Sequence, residues 1–121
     1  MTLSRSPLPF VLALLFAAPP ALAHAVLERA APAVGSTVRA APSEITLRFS
    51  ERIEPAFSTV QVTGPDGERV DAGELRVDER EKLVLHAALK PLAPGVYKVV
   101  WRAVSVDTHV TNGGFKFTVT P

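Results

Sequence analysis

The residues of this sequence that could bind a metal ion are three histidines and a set of carboxylates. Cysteine is absent and the only methionine is Met1. These counts exclude a disulfide framework, a thiolate zinc site, an iron–sulfur cluster and a thioether copper(I) site. Any metal ion must therefore be bound by nitrogen and oxygen. The candidate nitrogen ligands are His24, His86 and His109.

Asp107 and His109 form the first candidate pair. They follow an apolar, strand-like segment and precede Asn112-Gly113-Gly114, so we expect them in a turn or at a strand end. Residues two positions apart in an extended chain project their side chains to the same face, which would let a carboxylate and an imidazole converge. The pair alone equally allows a turn in which Asp107 bonds its own backbone beside a surface histidine.

Residues 1–23 have the features of a secretory signal peptide. A short basic start containing Arg5 is followed by an apolar run over residues 9–18, and Ala21-Leu22-Ala23 has the small-x-small pattern of a cleavage site. The alternative is an uncleaved anchor, but the apolar run is shorter than the roughly 20 residues needed to span a bilayer. We therefore expect residues 24–121 to be exported from the cytoplasm as one domain, without membrane insertion.

Cleavage after Ala23 would make His24 the first residue of the exported protein. Its free amine and its Nδ1 could then chelate one ion, although a terminal residue can also simply fray in solvent. Together with the side chains of Asp107 and His109, these groups supply three nitrogens and one oxygen. A tetragonal set of this kind suits copper(II), which also binds most tightly in the divalent series. His86 lies among apolar residues, and we interpret it as structural or exposed.

The remaining sequence predicts an all-β domain. From Val26 onward apolar residues alternate with polar ones, as in half-buried strands, and turn signals such as Gly64-Pro65-Asp66-Gly67 separate the segments. Six or seven short strands of this kind favour a two-sheet antiparallel β-sandwich. Residues 71–82 are the least regular and most charged, and we expect a surface loop or a frayed edge there. The predicted strands lie near residues 45–49, 60–62, 83–85, 96–104 and 115–119.

The overall charge is close to balanced. The chain carries 13 Lys+Arg and 12 Asp+Glu, and loss of Arg5 with the leader would leave equal numbers. Because the composition provides no broad charge field, it predicts neither nucleic-acid binding nor attraction to an anionic membrane surface.

The exported part of the chain resembles the CopC copper-resistance family. The resemblance runs over nearly all of residues 24–121, and its motifs have the order and spacing seen in that family. These motifs are HAVL (24–27), APAVGS (31–36), LRFSE (47–51), PGVYKV (94–99), WRAVS (101–105) and DTH (107–109).

The resemblance implies a small exported protein, mostly periplasmic in this family, with an immunoglobulin-like Greek-key β-sandwich of about seven strands. It implies that His24 binds copper(II) through its amine and ring nitrogen, and that Asp107 and His109 complete the site. Glu51 matches a carboxylate near that site, either a weak ligand or a neighbour of the ligands. Many family members also hold copper(I) in a methionine-rich loop, but residues 52–94 contain no methionine here. We therefore expect binding of copper(II) only.

The predicted function is that of a copper(II) carrier or buffer, in copper resistance or in copper delivery, rather than an enzyme. It would act as a monomer and pass copper to an inner-membrane importer or another periplasmic cuproprotein. Two alternatives remain open from the sequence. One is a copper oxidoreductase with a terminal-histidine site, the histidine brace of polysaccharide monooxygenases. The other is an immunoglobulin-like interaction module that binds no metal.

Overall fold

The computed structural model describes residue 4 and residues 24–121, and the predicted signal peptide otherwise lies outside the described residues. Eight strands and one short 3-10 helix (Pro55–Phe57) make up the described domain. Among these residues, no helix has the length and apolar character required to cross a membrane. The strands are β1 (Leu27–Ala31), β2 (Thr37–Val38), β3 (Glu44–Phe49), β4 (Thr59–Thr63), β5 (Arg76–Val77), β6 (Val84–Ala88), β7 (Gly95–Val104) and β8 (Val110–Val119).

The strands form two four-stranded sheets that pack as a sandwich. The first sheet has the order β1-β3-β6-β5 and the second has the order β2-β8-β7-β4. Five of the six strand pairs are antiparallel, and β2 pairs with β8 in parallel. The all-β sandwich predicted from the sequence is therefore confirmed, with one parallel pair added. The two-residue strands β2 and β5 are too short for alternation to reveal in the sequence.

Alternate residues of the strands face the core, as the alternation of apolar and polar residues in the sequence predicts. In β7, Tyr97, Val99, Trp101 and Ala103 are buried and the residues between them are exposed or half-buried. Two pairs of aromatic rings contact each other in the core. Phe49 of the first sheet and Trp101 of the second meet edge to face with ring centroids 5.1 Å apart, whereas Tyr97 and Phe117 are cross-strand neighbours in the second sheet and stack at 5.4 Å. Such contacts add to the stabilisation from area burial.

The last strand is longer than its apolar residues indicated. It begins at Val110 rather than near Phe115 and contains Gly113 and Gly114, which pair with Trp101 and Val100 of β7. Glycine at 113 has a steric cause, because a Cβ there would lie 2.3 Å from Cζ2 of the Trp101 indole. Gly113 thus makes room for the largest core side chain, and neither glycine breaks the strand.

Residues 71–82 form a mostly irregular edge, as predicted, but Asp71 has a defined structural role. Its Oδ1 accepts a hydrogen bond from the backbone N–H of Val62 at 2.8 Å, and its carboxylate pairs in a bidentate manner with Arg69 at 2.7 Å. These contacts satisfy a backbone donor on the outer edge of β4. The pKa of Asp71 is lowered, chiefly by the hydrogen bonds from Arg69.

We predict that Gly113→Ala destabilises the domain by roughly 1–3 kcal/mol, because the added methyl must displace the Trp101 indole. Urea unfolding followed by tryptophan fluorescence measures this loss. Gly64→Ala is the matched control, since a Cβ there would lie at an ordinary 3.4 Å from Tyr97 Cε1. Equal unfolding midpoints for Gly113→Ala and the unmodified chain would contradict the steric explanation.

Candidate metal centre

The turn between β7 and β8 positions Asp107 and His109. The backbone N–H of Thr108 donates to the Ser105 carbonyl at 2.8 Å, and that of Ser105 donates to the His109 carbonyl at 2.9 Å. Thr108 adopts a positive φ of 71°, which non-glycine residues rarely do. The two site residues therefore lie in a tight turn, one of the two locations that the sequence predicted.

Within this turn the side chains of Asp107 and His109 meet. Asp107 Oδ2 lies 3.2 Å from His109 Nδ1, within hydrogen-bond distance. The convergence arises from the turn geometry rather than from an extended strand.

Ser105 holds the Asp107 carboxylate, a role that the sequence analysis missed. Ser105 is fully buried, its hydroxyl donates to Asp107 Oδ1, and it accepts a hydrogen bond from the His109 backbone N–H at 3.2 Å. The hydroxyl hydrogen bond is the largest cause of a lowered pKa of Asp107, and the neighbouring His109 adds to it. The Asp107 carboxylate therefore stays ionised at a lower pH than an ordinary aspartate does. A serine two residues before an aspartate in a turn is the sequence signal for such a contact.

The N-terminal segment is fixed beside this turn by two independent contacts. The backbone N–H of Val26 donates to Ser50 Oγ at 2.8 Å, and the Ser50 N–H donates to the Val26 carbonyl at 2.9 Å. On the other side, the hydroxyl of Thr111 in β8 donates to the carbonyl of Ala25 at 3.0 Å. Ala25 itself is buried. The residues directly after His24 are thus bound to both sheets.

This anchoring brings His24 to His109, 85 positions later in the chain. The two ring centroids lie 5.6 Å apart, with an angle of 59° between the planes. Bonds from an imidazole nitrogen to a bound metal ion are about 2 Å long, so rings at this separation lie within reach of one ion. The structure therefore places all three sequence-predicted ligands, His24, Asp107 and His109, at one end of the sandwich.

The side chains alone do not form a complete metal cage. Across residues 24–121, no group of three or more His, Cys, Asp and Glu side chains is arranged to hold a metal ion. Two features of the site explain this result. The Asp107 carboxylate contacts Ser105 and His109, and one predicted donor, the nitrogen of His24, belongs to the backbone and is not counted among side chains.

Glu51 lies next to Ser50, the residue that binds the N-terminal segment. It is half-buried, and its carboxylate makes no hydrogen bond or ion pair within the described domain. The structure places it in the loop that approaches the N-terminus but does not join it to the histidines. Its part in the site stays a prediction.

His86 lies away from this end, on the outer face of the first sheet. It pairs with Thr46 across β3 and β6, and its Nδ1 lies 3.1 Å from Thr46 Oγ1 and 3.2 Å from Glu44 Oε1. Its Nε2 lies 3.8 Å from Asp78 Oδ1. Because these carboxylates approach opposite sides of the ring, the arrangement links neighbouring strands rather than converging on one point.

Comparison with known proteins extends these observations to the whole domain. The model of the CopC domain family matches residues 27–120, which include Asp107 and His109 and begin three residues after His24. Protein YobA of Escherichia coli K12 is 41% identical over 102 residues, covering 84% of this chain and 82% of that protein. Copper resistance protein C of Escherichia coli is 37% identical over 106 residues, covering 82% and 83%. The crystal structure of CopC from Methylosinus trichosporium OB3b matches with a TM-score of 0.75 at 32% identity, over 81% of this chain and 95% of that one.

We predict that Ser105→Ala raises the pKa of Asp107 towards its ordinary value, because the principal hydrogen bond that lowers it is lost. A carboxylate with a lowered pKa stabilises the fold above its unfolded pKa and loses that effect as the pH falls through the folded value. The variant should therefore lose this acid-side dependence of stability. Titration of the Asp107 carboxyl signal by nuclear magnetic resonance measures the shift.

Ser58→Ala is the matched control for this experiment. Ser58 is also buried, and its hydroxyl accepts a hydrogen bond at 2.9 Å from the backbone N–H of Val104, the residue directly before Ser105. It has no contact with Asp107, so its loss should lower stability without moving that pKa. An unchanged Asp107 titration in Ser105→Ala would show that the hydroxyl does not control it.

Proposed function

Because the chain belongs to the CopC copper-resistance family, it is a copper-binding protein of the carrier type, and we propose that it carries copper(II) held by His24, Asp107 and His109. One observation supports this choice of site. The ring centroids of His24 and His109, which are far apart in the sequence, lie 5.6 Å apart, and Asp107 lies beside His109. Nothing in the sandwich core requires these polar groups to meet. Their meeting is explained by a shared ligand.

The donor set favours the oxidised ion. Residues 24–121 contain no cysteine and no methionine, so the soft sulfur ligands that copper(I) prefers are lacking. The amine and Nδ1 of His24, together with the imidazole of His109 and an oxygen of Asp107, would supply a tetragonal set. The ionised carboxylate also offsets one of the two positive charges of copper(II). We expect reduction to copper(I) to weaken binding.

The proposed site requires removal of residues 1–23. In the uncleaved chain the nitrogen of His24 is part of a peptide bond and cannot serve as an amine ligand. We therefore propose that the protein is exported to the periplasm and acquires its full affinity when the signal peptide is removed. As a monomer it would buffer copper or deliver it to a membrane importer or another cuproprotein.

The carrier role is preferred to catalysis because of Asp107. A copper oxidoreductase must keep a coordination position open for oxygen, whereas here an anchored carboxylate lies beside His109. Production of hydrogen peroxide from ascorbate and oxygen by the copper-loaded protein, above the rate of copper in buffer, would favour the oxidoreductase instead.

We predict that one extra alanine inserted before His24 weakens copper(II) binding by more than about 100-fold. Loss of a group that only orients a ligand typically weakens metal binding roughly 10–100-fold, and loss of a ligand itself should cost more. The insertion keeps every side chain but removes the amine from His24. Equilibrium dialysis of the processed protein measures the affinity, and electron paramagnetic resonance reports the loss of one nitrogen ligand. His109→Gln should weaken binding similarly.

His86→Gln serves as the control for these variants, since His86 contacts Glu44 and Thr46 on a different face. Its copper affinity should match that of the unmodified protein. Equal affinity for the alanine-extended and unmodified proteins would remove the amine from the proposed site.

We predict that copper(II) affinity falls steeply below about pH 6, because protons compete for the nitrogen ligands. In model compounds the pKa of imidazole is about 6.5 and that of an α-amine is about 7.7–8.0. Asp107 does not cause this fall, since its lowered pKa keeps it ionised well below pH 6. Asp107→Asn should therefore reduce affinity at every pH and retain a steep fall of affinity at acid pH, since the nitrogen ligands remain. A profile that loses this fall with the substitution would assign the titration to the carboxylate.

A further inference from the structure

The outer face of the second sheet carries positive charge only. Its four strands contain Lys98, Arg102 and Lys116 and no aspartate or glutamate. All three side chains are exposed, and none forms an ion pair within the described domain. We name Lys98, Arg102 and Lys116 the cationic face.

The opposite sheet is built differently, although its strands hold the same number of cationic residues, namely Arg29, Arg48 and Arg76. There Arg48 pairs with Glu28 and Glu81, and Arg76 pairs with Glu44 at 2.7 Å. The near-balance of charge in the sequence therefore conceals an uneven distribution. Two of the three cations of one sheet are in ion pairs with carboxylates, and none of the three on the other sheet is.

The register of β7 and β8 makes this face costly for the fold. Lys98 and Lys116 are directly opposite each other in the antiparallel pair. Cβ atoms of opposed residues lie about 4.5–5.5 Å apart, and like charges at this position destabilise a sheet. Arg102 donates a hydrogen bond to the Phe57 carbonyl at 3.1 Å, but the side chains of Lys98 and Lys116 make no hydrogen bond or ion pair within the described domain. Two opposed lysines without partners are the pattern expected when a surface is adapted to an external anion.

The shape and composition of the face indicate the kind of anion. Ten-residue strands extend over about 33 Å. Of the exposed apolar residues, Val100 lies between Lys98 and Arg102 on β7, and Val96 and Val110 lie at opposite ends of the hairpin. Protein interfaces are enriched in aromatic residues and depleted in lysine, whereas this face has two lysines and no aromatic residue. Lysines on a flat surface instead match the diffuse negative charge of phospholipid headgroups.

We infer that the cationic face adsorbs the protein to the surface of an anionic phospholipid bilayer. The contact is peripheral and reversible, with the lysine ammonium groups at the lipid phosphates and the valines at the headgroup boundary. Val110 directly precedes Thr111 and follows His109, so the face ends at the turn that holds the metal centre. An adsorbed molecule therefore keeps this turn next to the membrane. The adsorption does not depend on copper.

The inference is tested by sedimentation with lipid vesicles at low ionic strength, using protein purified after export. Vesicles of equal parts phosphatidylglycerol and phosphatidylcholine should bind the protein, and phosphatidylcholine alone should not. Each cation at an anionic surface strengthens binding about fivefold, so Lys98→Gln/Lys116→Gln should weaken it about 25-fold. Raising the salt to about 0.15 M, where the Debye length is about 8 Å, should weaken binding further.

Lys82→Gln/Lys90→Gln removes the same net charge from exposed positions outside the cationic face and is the matched control. It should bind vesicles within about twofold of the unmodified protein. An equal loss in this control would show that total charge alone drives binding and would overturn the proposal. Equal binding to phosphatidylcholine would do the same.

Two further measurements complete the test. Lys98→Glu creates an opposite-charge pair with Lys116, so it should raise the melting temperature while lowering vesicle binding; a fall in both would refute the assignment.

Polyglutamate serves as a soluble acidic probe. If it competes with vesicles at equal anion concentration and shows the same loss in Lys98→Gln/Lys116→Gln, the face recognises acidic protein and the bilayer proposal fails. Repeating the assay with and without copper(II) separates this result from that of the proposed metal site.

Discussion

The ten-residue pairing of β7 with β8 is the interaction on which the rest of the molecule depends. Its inner face supplies Trp101, Phe115 and Phe117 to the core, and the turn at its end supplies Asp107 and His109. Its outer face carries the unpaired lysines. One hairpin thus combines three roles, and a change in its register by one residue would exchange the inner and outer faces along its whole length.

The N-terminal segment is the second requirement, and it is held by few contacts. Ser50 and Thr111 bind the backbone around Ala25 and Val26, so the position of His24 depends on hydrogen bonds to two different sheets. Neither contact uses the side chain of the histidine. The geometry of the proposed site is therefore largely set by main-chain bonding.

Much of the fold follows from alternation in the sequence, because burial of one strand face is a local property. Tyr97, Val99 and Trp101 alternate with more exposed residues along β7, and all three are buried. The role of Gly113 could not be read locally, since it depends on an indole located twelve residues earlier on a neighbouring strand. The parallel pairing of β2 also depends on a distant partner. For the site, residue type, spacing and motif resemblance predict His24, Asp107 and His109 as ligands, but the buried hydroxyl of Ser105 acquires its role only through the turn. Composition gave the total charge and could not show which sheet would leave its charges unpaired.

The contact between Asp71 and Val62 has a consequence for how these molecules behave at high concentration. An outermost strand with free backbone groups is a template on which another chain can add a strand, and this is a common beginning of aggregation. Here a side-chain carboxylate occupies the position that a foreign carbonyl would take, and Arg69 holds it there. The backbone N–H of Val70 also donates to the Val62 carbonyl at 2.8 Å, so one carboxylate and a neighbouring backbone segment together discourage strand addition at this border.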